Sequence, residues 1–372
     1  MIFRQLTVIG CGLIGGSLAV ASRYYQLAER VVGTDVDPNM VQMAIDLHVI
    51  DEGTTDLPTA VKNADLIVIA TPVKQTLSIL KTLCDMPLQP GVIVTDVGGT
   101  KTDICAYAAQ SMPETIEFIG GHPMAGSERS GVRAANERLF ENAKYVLTPT
   151  AATNPESLQK LRQFIEGLRA NVMILDPKLH DRVVGTISHL PHVLASTLVQ
   201  FVSGFAEQEP LYAQLAAGGF RDVTRIASGN PDLWRDIMVT NADALDEIMT
   251  QFIAACTEIR NFVRGKQEHS LQAFFASAKD WRDALPVRRR GALPELYQCT
   301  VDVADRPGAI ATVATLLAEK EINLRNIGIM ESREDVNGQL VLQFHRLEEM
   351  EKAIELLQTM NFLVHKYDEE IG

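Results

Sequence analysis

The stretch VIGCGLIGGS, residues 8–17, constrains this chain more than any other. A β-branched run leads into Gly10, Gly12 and Gly15 in G-x-G-x-x-G spacing, and an apolar helical pattern follows at once. The spacing suits a strand that turns tightly into a helix. The first glycine allows the turn, the second lets backbone approach a pyrophosphate, and the third lets helix and strand pack closely. The helix start, with Leu13 and Ile14, offers unpaired amides and the positive end of the helix dipole to an anion. Asp35 closes the next strand-like run, where a ribose-binding carboxylate belongs. An ordinary helix N-cap is its competing reading. No Arg or Lys lies in TDVDPNM to hold a 2′-phosphate, which favours NAD over NADP. Thr71 and Pro72, at the end of DLIVIATP, are placed beside the nicotinamide ribose.

The rest of the chain extends this pattern. LTVIG, RVVGTD, DLIVIAT, GVIVTDV, IEFIGG and AKYVLTP are short apolar runs separated mainly by helix-like stretches. They predict an α/β domain over residues 1–175, a Rossmann-type doubly wound parallel sheet covered on both faces. Over residues 176–287 the strand runs vanish and apolar-striped helical periodicity takes over, predicting an all-helical domain. So much apolar helix in one segment is expected to be partly buried between subunits, as a homodimerisation domain. LPVRRRGALPE then reads as a solvated linker, with an anion patch at Arg288–Arg290 as the alternative. Residues 296–372 run strand, helix, strand, strand, helix, strand, a ferredoxin-like βαββαβ module.

Bulk properties exclude several classes. A net charge of −13 argues against nucleic acid or an anionic membrane as the main partner. The five cysteines are scattered without a CxxC pair, which reads as reduced thiols in a cytoplasmic protein. The start shows no signal peptide and no apolar run is long enough to span a bilayer.

Three segments compete for chemistry. GGHPMAGSE, Gly120 to Glu128, sets His122 among glycines and a proline, so it is expected as a tight loop at the carboxyl edge of the sheet. SHLPH puts His189 and His192 on one helical face, with Pro191 expected to bend the helix and free an acceptor near Ile187. GGFRDVTRIASGNPDLWRDI carries Arg221 and Arg225 one turn apart, a pair suited to a ligand with two carboxylates. The histidines could instead be helix-packing residues, and the arginines could pair with Asp222, Asp232 or Asp236. No carboxylate or Cys stands at ligand spacing beside the histidines, so no metal is expected.

In order along the chain, GCGLIGGS, DVGGTK, GGHPMAGSE, SHLPH, GGFRDVTRIA and LWRDI resemble the prephenate dehydrogenases of tyrosine biosynthesis, in the bacterial form with a C-terminal ACT regulatory domain. The resemblance implies oxidative decarboxylation of prephenate to 4-hydroxyphenylpyruvate with reduction of NAD⁺. It also implies site roles. His122 takes the 4-hydroxyl, His192 lines the pocket and Arg225 holds the ring carboxylate, as the catalytic set. His189 supports, Arg221 engages the side-chain carboxylate, Ser127 helps close the loop, and Trp234 touches the substrate. DVGGTK departs from the family, which often has a serine bonding the 4-hydroxyl there; here stand Gly99 and Thr100. Thr100, a water, or His122 alone are the open alternatives, with Thr100 kept among the substrate-binding candidates. DRPGAIATVATLLAEKEINLRNIGI resembles the ligand loop and first helix of an ACT domain. It implies L-tyrosine as feedback inhibitor, with Asp305, Pro307, Gly308, Asn323 and Asn326 as the regulatory site. Two arginines near the substrate side chain would repel an ammonium, so prephenate is expected over arogenate. A β-hydroxyacid-type dehydrogenase or a non-catalytic NAD- and amino-acid-binding regulator are the alternatives.

Overall fold

The structure, a computed structural model, describes residues 1–126, 131–285, 297–304, 306–330, 337–344 and 346–366. It divides into two compact units, Met1–Pro286 and Val287–Gly372. The basic triplet Arg288–Arg290 lies outside the described residues.

In the first unit, eight strands form one sheet: β1 (Phe3–Ile9), β2 (Ala28–Thr34), β3 (Glu52–Thr54), β4 (Leu66–Ile69), β5 (Val92–Asp96), β6 (Ile116–Pro123), β7 (Lys144–Thr148) and β8 (Asn171–Ile174). Their order is β3-β2-β1-β4-β5-β6-β7-β8. Successive strands go one way from β1 to β3 and the other way from β4 onward. The reversal between β1 and β4 opens a crevice at their carboxyl ends, the place where doubly wound sheets bind ligands.

Alternation along the strands explains the layering. Leu66 and Val68 join Leu6, Val8 and Val31 in one core with Leu18 of the helix Leu13–Tyr24 and Phe164 of the helix Pro155–Gly167. Ile67 and Ile69 face the other way, onto Leu80 and Leu83 of the helix Val73–Cys84 and Ile104 of the helix Thr102–Ser111. Side chains alternate across a pleated strand, so an unbroken apolar run feeds both cores at once.

Two features depart from the expected sheet. The strand β7 runs antiparallel to β6, while β8 returns parallel to β7. A parallel return needs a crossover of a dozen or more residues, usually a helix. Between β6 and β7 the described residues hold only the short turn Val132–Ala134. GGHP is the second departure, because Gly120 to Pro123 are the last residues of β6 and pair with Thr148 to Tyr145 of β7. The glycines do not break the strand; they let it lie against its neighbour. A β-carbon on Gly121 would come 2.6 Å from the Asp96 carbonyl oxygen, a distance no side chain tolerates.

The helical part continues with Pro177–Val184, a π-helical turn at Gly185–His189, Leu190–Ala206, Pro231–Thr240, Ala242–Arg264 and Glu268–Asp283. The π turn sits just ahead of Pro191, at the start of the next helix. A widened turn accommodates the missing N–H donor of the proline. Phe201, Phe275 and Trp281 on these helices are 64%, 65% and 68% exposed, an unusual apolar surface for one chain alone. Among the described residues, no helix is long and apolar enough to cross a membrane.

The second unit has β9 (Tyr297–Ala304), β10 (Asn326–Met330), β11 (Asn337–Phe344) and β12 (Val364–Lys366), in the order β10-β11-β9-β12 and all antiparallel. The helices Ala309–Glu319 and Leu347–Thr359 cover one face, where Cys299, Val301, Leu342 and Phe344 meet Val313, Leu317 and Leu357. This is the βαββαβ order expected from the sequence.

A wholly buried ion pair ties the sheet edge together. Lys101 and Asp96 side chains are 0% and 1% exposed and in contact. Asp96 also accepts from the amides of Gly98 (2.8 Å) and Gly121 (3.2 Å). Lys101→Met should destabilise the first unit by about 3–5 kcal/mol, because it strands an enclosed carboxylate. Equilibrium urea unfolding checks this, and a loss below about 1 kcal/mol would contradict it.

Candidate active site

The dinucleotide end follows from local backbone. Gly10 has φ +97°, and a β-carbon there would lie 2.6 Å from the Ala70 carbonyl oxygen. One on Gly15 would lie 2.0 Å from the Gly10 carbonyl oxygen, whereas one on Gly12 would meet nothing within 4 Å. Two glycines therefore serve packing between β1, its helix and β4, and Gly12 faces open space where a ligand fits. The helix Leu13–Tyr24 has no side-chain cap and no acidic residue in its first turn. Its amides are left for an anion such as pyrophosphate.

The carboxylate of Asp35 accepts from the Cys11 amide (2.8 Å) and the Asp37 amide (3.1 Å). Its competing reading fails, because the N-cap of the helix Pro38–Asp46 is Asp37, whose side chain bonds Asn39 N–H. Thr71 and Pro72 follow β4 directly, with the Thr71 methyl 3.2 Å from a β-carbon built on Gly10. The cofactor-binding candidates thus gather at the carboxyl ends of β1, β2 and β4. These residues fit a dinucleotide.

At the same edge, β6 delivers His122. Its Nδ1 is 2.8 Å from Nε2 of His180, and Nδ1 of His180 is 2.8 Å from Oδ1 of Asp181. His180 and Asp181 sit on the helix Pro177–Val184 and are fully buried. Asp181 also accepts the amides of Lys101 and Thr102, each at 2.8 Å, and so caps the helix Thr102–Ser111 from another part of the chain. Burial, followed by His180, Lys101 and His189, holds His122 well below the ordinary histidine value of 6.5. For Asp181 burial acts upward, but bonds from His180, Thr102 and Lys101 outweigh it and the net shift is downward.

Residues of the helical part close around His122. His189 is buried, with Nδ1 3.0 Å from the Asn241 side-chain nitrogen, which also lies 3.0 Å from the Asp181 carbonyl oxygen. Burial pushes His189 down to about 4 against the upward pull of Asp181. His192 donates from Nδ1 to the Ser188 carbonyl (2.9 Å), so the acceptor used in this turn is that of Ser188. Its ring stacks on Trp234 at 3.4 Å between centroids and 26° between planes. Burial lowers His192, the bond to Ser188 opposes, and Arg225 adds to the lowering, which brings Arg225 into the same group.

The other candidates divide. Arg225 is exposed and opens the short turn Arg225–Ser228, while Arg221 is exposed on the helix Gly218–Thr224. Asp232 and Asp236, two of their three suggested ion-pair partners, bind Arg235, both at 2.7 Å. Thr100 is buried, and its hydroxyl donates to that of Thr240, on the helix Pro231–Thr240, at 3.0 Å. What faces His122 Nε2 is Gly99, where a β-carbon would stand 4.0 Å from that nitrogen and 3.9 Å from Ile237 Cδ1. Ser127 lies outside the described residues.

His180, Asp181 and Asn241 were not among the sequence candidates. The one available signal was the HD pair in DPKLHDRVV, two polar residues on a helix otherwise read for its apolar stripe.

Comparison with known proteins decides the family. The profile for the prephenate dehydrogenase nucleotide-binding domain matches residues 18–174, and that for its dimerization domain matches residues 176–277. The chain belongs to the prephenate dehydrogenase family. An ACT-domain profile matches residues 297–355. A prephenate dehydrogenase of Bacillus subtilis is 40% identical over 95% of each chain. One of Lactococcus lactis is 38% identical over 95% of this chain and 98% of its own. Among solved structures, a prephenate dehydrogenase of Aquifex aeolicus, in complex with hydroxyphenyl propionate and NAD⁺, superposes with a TM-score of 0.71. It is 30% identical and covers 76% of this chain and 98% of its own.

A pH dependence follows from the depressed histidines. The neutral form of His122 is the one able to accept a proton, and a lowered pKa keeps it neutral to lower pH. The acid limb of kcat/KM should therefore be centred below 6.5, with activity lost only as pH falls through the depressed value. A limb centred at or above 6.5 in a kcat/KM profile would contradict this.

Proposed function

We propose that the chain is an NAD-dependent prephenate dehydrogenase, converting prephenate and NAD⁺ to 4-hydroxyphenylpyruvate, CO₂ and NADH. The observation that carries the reading is the placement of His122. Its Nε2 looks onto Gly99, at the sheet edge shared with the Gly10–Gly15 crevice, and its Nδ1 is taken by His180. Bound NAD⁺ supplies the hydride acceptor. His122, kept neutral by burial, accepts the proton of the 4-hydroxyl as the ring carbon that bears it gives up hydride. Arg225 holds the ring carboxylate that leaves as CO₂, and Arg221 engages the side-chain carboxylate. His192 and Trp234, stacked on one another, form an aromatic wall of the pocket, with His189 behind. Thr100 donates its hydroxyl proton to Thr240 and keeps an oxygen lone pair as a candidate acceptor for the substrate's 4-hydroxyl.

Prephenate is favoured over arogenate because both full-length relatives above carry the prephenate name, and because paired guanidiniums repel an ammonium. The five cysteines are all free, which suits a reducing cytoplasm. The exposed apolar helices pair two copies as a homodimer. In the ACT unit, Gly308 has φ +91° at the N-terminus of Ala309–Glu319 and offers unhindered backbone to a ligand. Asn323 is exposed nearby in sequence, and Asn326 bonds Gln343 at 3.1 Å on the sheet. With Pro307 they form the tyrosine site, whose further candidate Asp305 lies outside the described residues.

NADH formation from prephenate and from arogenate, side by side, tests the assignment. Prephenate should give the higher kcat/KM, and equal or better turnover of arogenate would overturn the preference. His122→Asn should lower kcat by roughly 10²–10⁴, the scale of a lost general base. Near-normal kcat in that variant would remove His122 from the mechanism. L-Tyrosine should inhibit the full chain, and Gly308→Val should relieve that inhibition at unchanged uninhibited kcat. An enzyme insensitive to saturating tyrosine would dismiss this effector.

A further inference from the structure

With His180 neutral, the hydrogen bonds behind His122 run in a single direction. Asp181 Oδ1 and Oδ2 receive the amides of Lys101 and Thr102, which can only donate, so the carboxylate is the acceptor of every bond it makes. His180 Nδ1, 2.8 Å from Oδ1, must then carry a proton. A neutral His180 leaves Nε2 as a lone pair, and the ring facing it at 2.8 Å, through Nδ1 of His122, must donate. That leaves Nε2 of His122 unprotonated on the side of Gly99. A protonated His180 would reverse the last bond and put the His122 proton on Nε2. It would also place a cation on a ring with no solvent exposure, offset by the Asp181 carboxylate alone.

We propose that His180, itself oriented by Asp181, is a positioning residue that fixes His122 as its Nδ1–H tautomer and leaves Nε2 free as the base. The proposal rests on His122 being the base of the reaction. An imidazole has two nitrogens, and which one is basic is set by the bond the other makes. Ring rotation about the side chain is blocked in the same way, since turning His122 would break the bond to His180. The carboxylate–imidazole orienting unit is the arrangement that triad enzymes use for their base, here extended by one further ring. No proton need pass beyond His122 for it to act.

His180→Phe keeps the ring volume and removes the acceptor, whereas His180→Gln keeps a carbonyl oxygen at the end of the side chain. On the full chain, His180→Phe should lower kcat by roughly 10²–10³, within the range for a mispositioned base, with KM for NAD⁺ unchanged. His180→Gln should recover to within about tenfold of the parent, since it restores an acceptor for Nδ1–H. ¹⁵N-histidine NMR gives the readout that a merely structural role would not move. The His122 ring, assigned by its loss in His122→Asn, should be protonated at Nδ1 in the parent and switch to Nε2 in His180→Phe. A parent spectrum with His122 protonated at Nε2 would overturn the proposal, and so would His180→Phe with kcat within about twofold of the parent. The parent spectrum and the Gln variant decide the matter even if the Phe variant does not fold. An inactive His122→Asn beside a fully active His180→Phe sinks only the positioning role, whereas an active His122→Asn sinks the base assignment itself.

Discussion

One carboxylate, that of Asp181, holds the two halves of the site together. It accepts two amides at the start of the helix Thr102–Ser111, which belongs to the sheet layer, and one ring proton from His180 on its own helix. A buried carboxylate is costly unless all its lone pairs are used, so its partners have little freedom to move apart. Asn241 adds a third attachment through the Asp181 carbonyl and passes it to His189. Nearby, the Asp96–Lys101 pair fixes the loop after β5 and, through the Gly121 amide, the strand that carries His122. His122 is therefore located by charges that must be satisfied rather than by a loop free to adjust.

This arrangement separates two tasks along the sheet edge. The β1–β4 crevice is shaped mainly by backbone, with the Asp35 carboxylate beside it: glycines where a β-carbon would strike carbonyl oxygens, and uncapped amides at a helix start. The β5–β6 edge is shaped by buried side chains and directs one imidazole outward. Helical residues add His189 beside it, and the His192–Trp234 stack with Arg225 near His192. A dinucleotide needs backbone donors and a sugar-binding carboxylate, and a proton transfer needs one oriented nitrogen. Each half supplies what its chemistry requires.

Much of this was legible in the sequence wherever a pattern is local. Strand–glycine–helix spacing, the carboxylate of Asp35, the helical stripe after residue 176 and the βαββαβ order all have short-range signals. The antiparallel direction of β7 did not, because apolar runs look alike in either direction and only the connection distinguishes them. GGHP read as a loop because glycine and proline usually end strands; the strand persists because a neighbouring carbonyl excludes any larger residue at Gly121. Thr100 faces Thr240 for a tertiary reason, its helix partner lying 140 residues away. The pairing of His122 with His180 bridges 58 residues. Nothing in either local sequence announces it.

The central claim is that His122 Nε2 receives the substrate hydroxyl at the edge of the sheet. A crystal structure of the full chain with NAD⁺ and 4-hydroxyphenylpyruvate tests it most directly. The hydroxyl oxygen of the bound ring should lie about 2.6–3.2 Å from His122 Nε2. A ring bound the other way round, with a carboxylate on His122 and the hydroxyl turned toward solvent, would contradict the account.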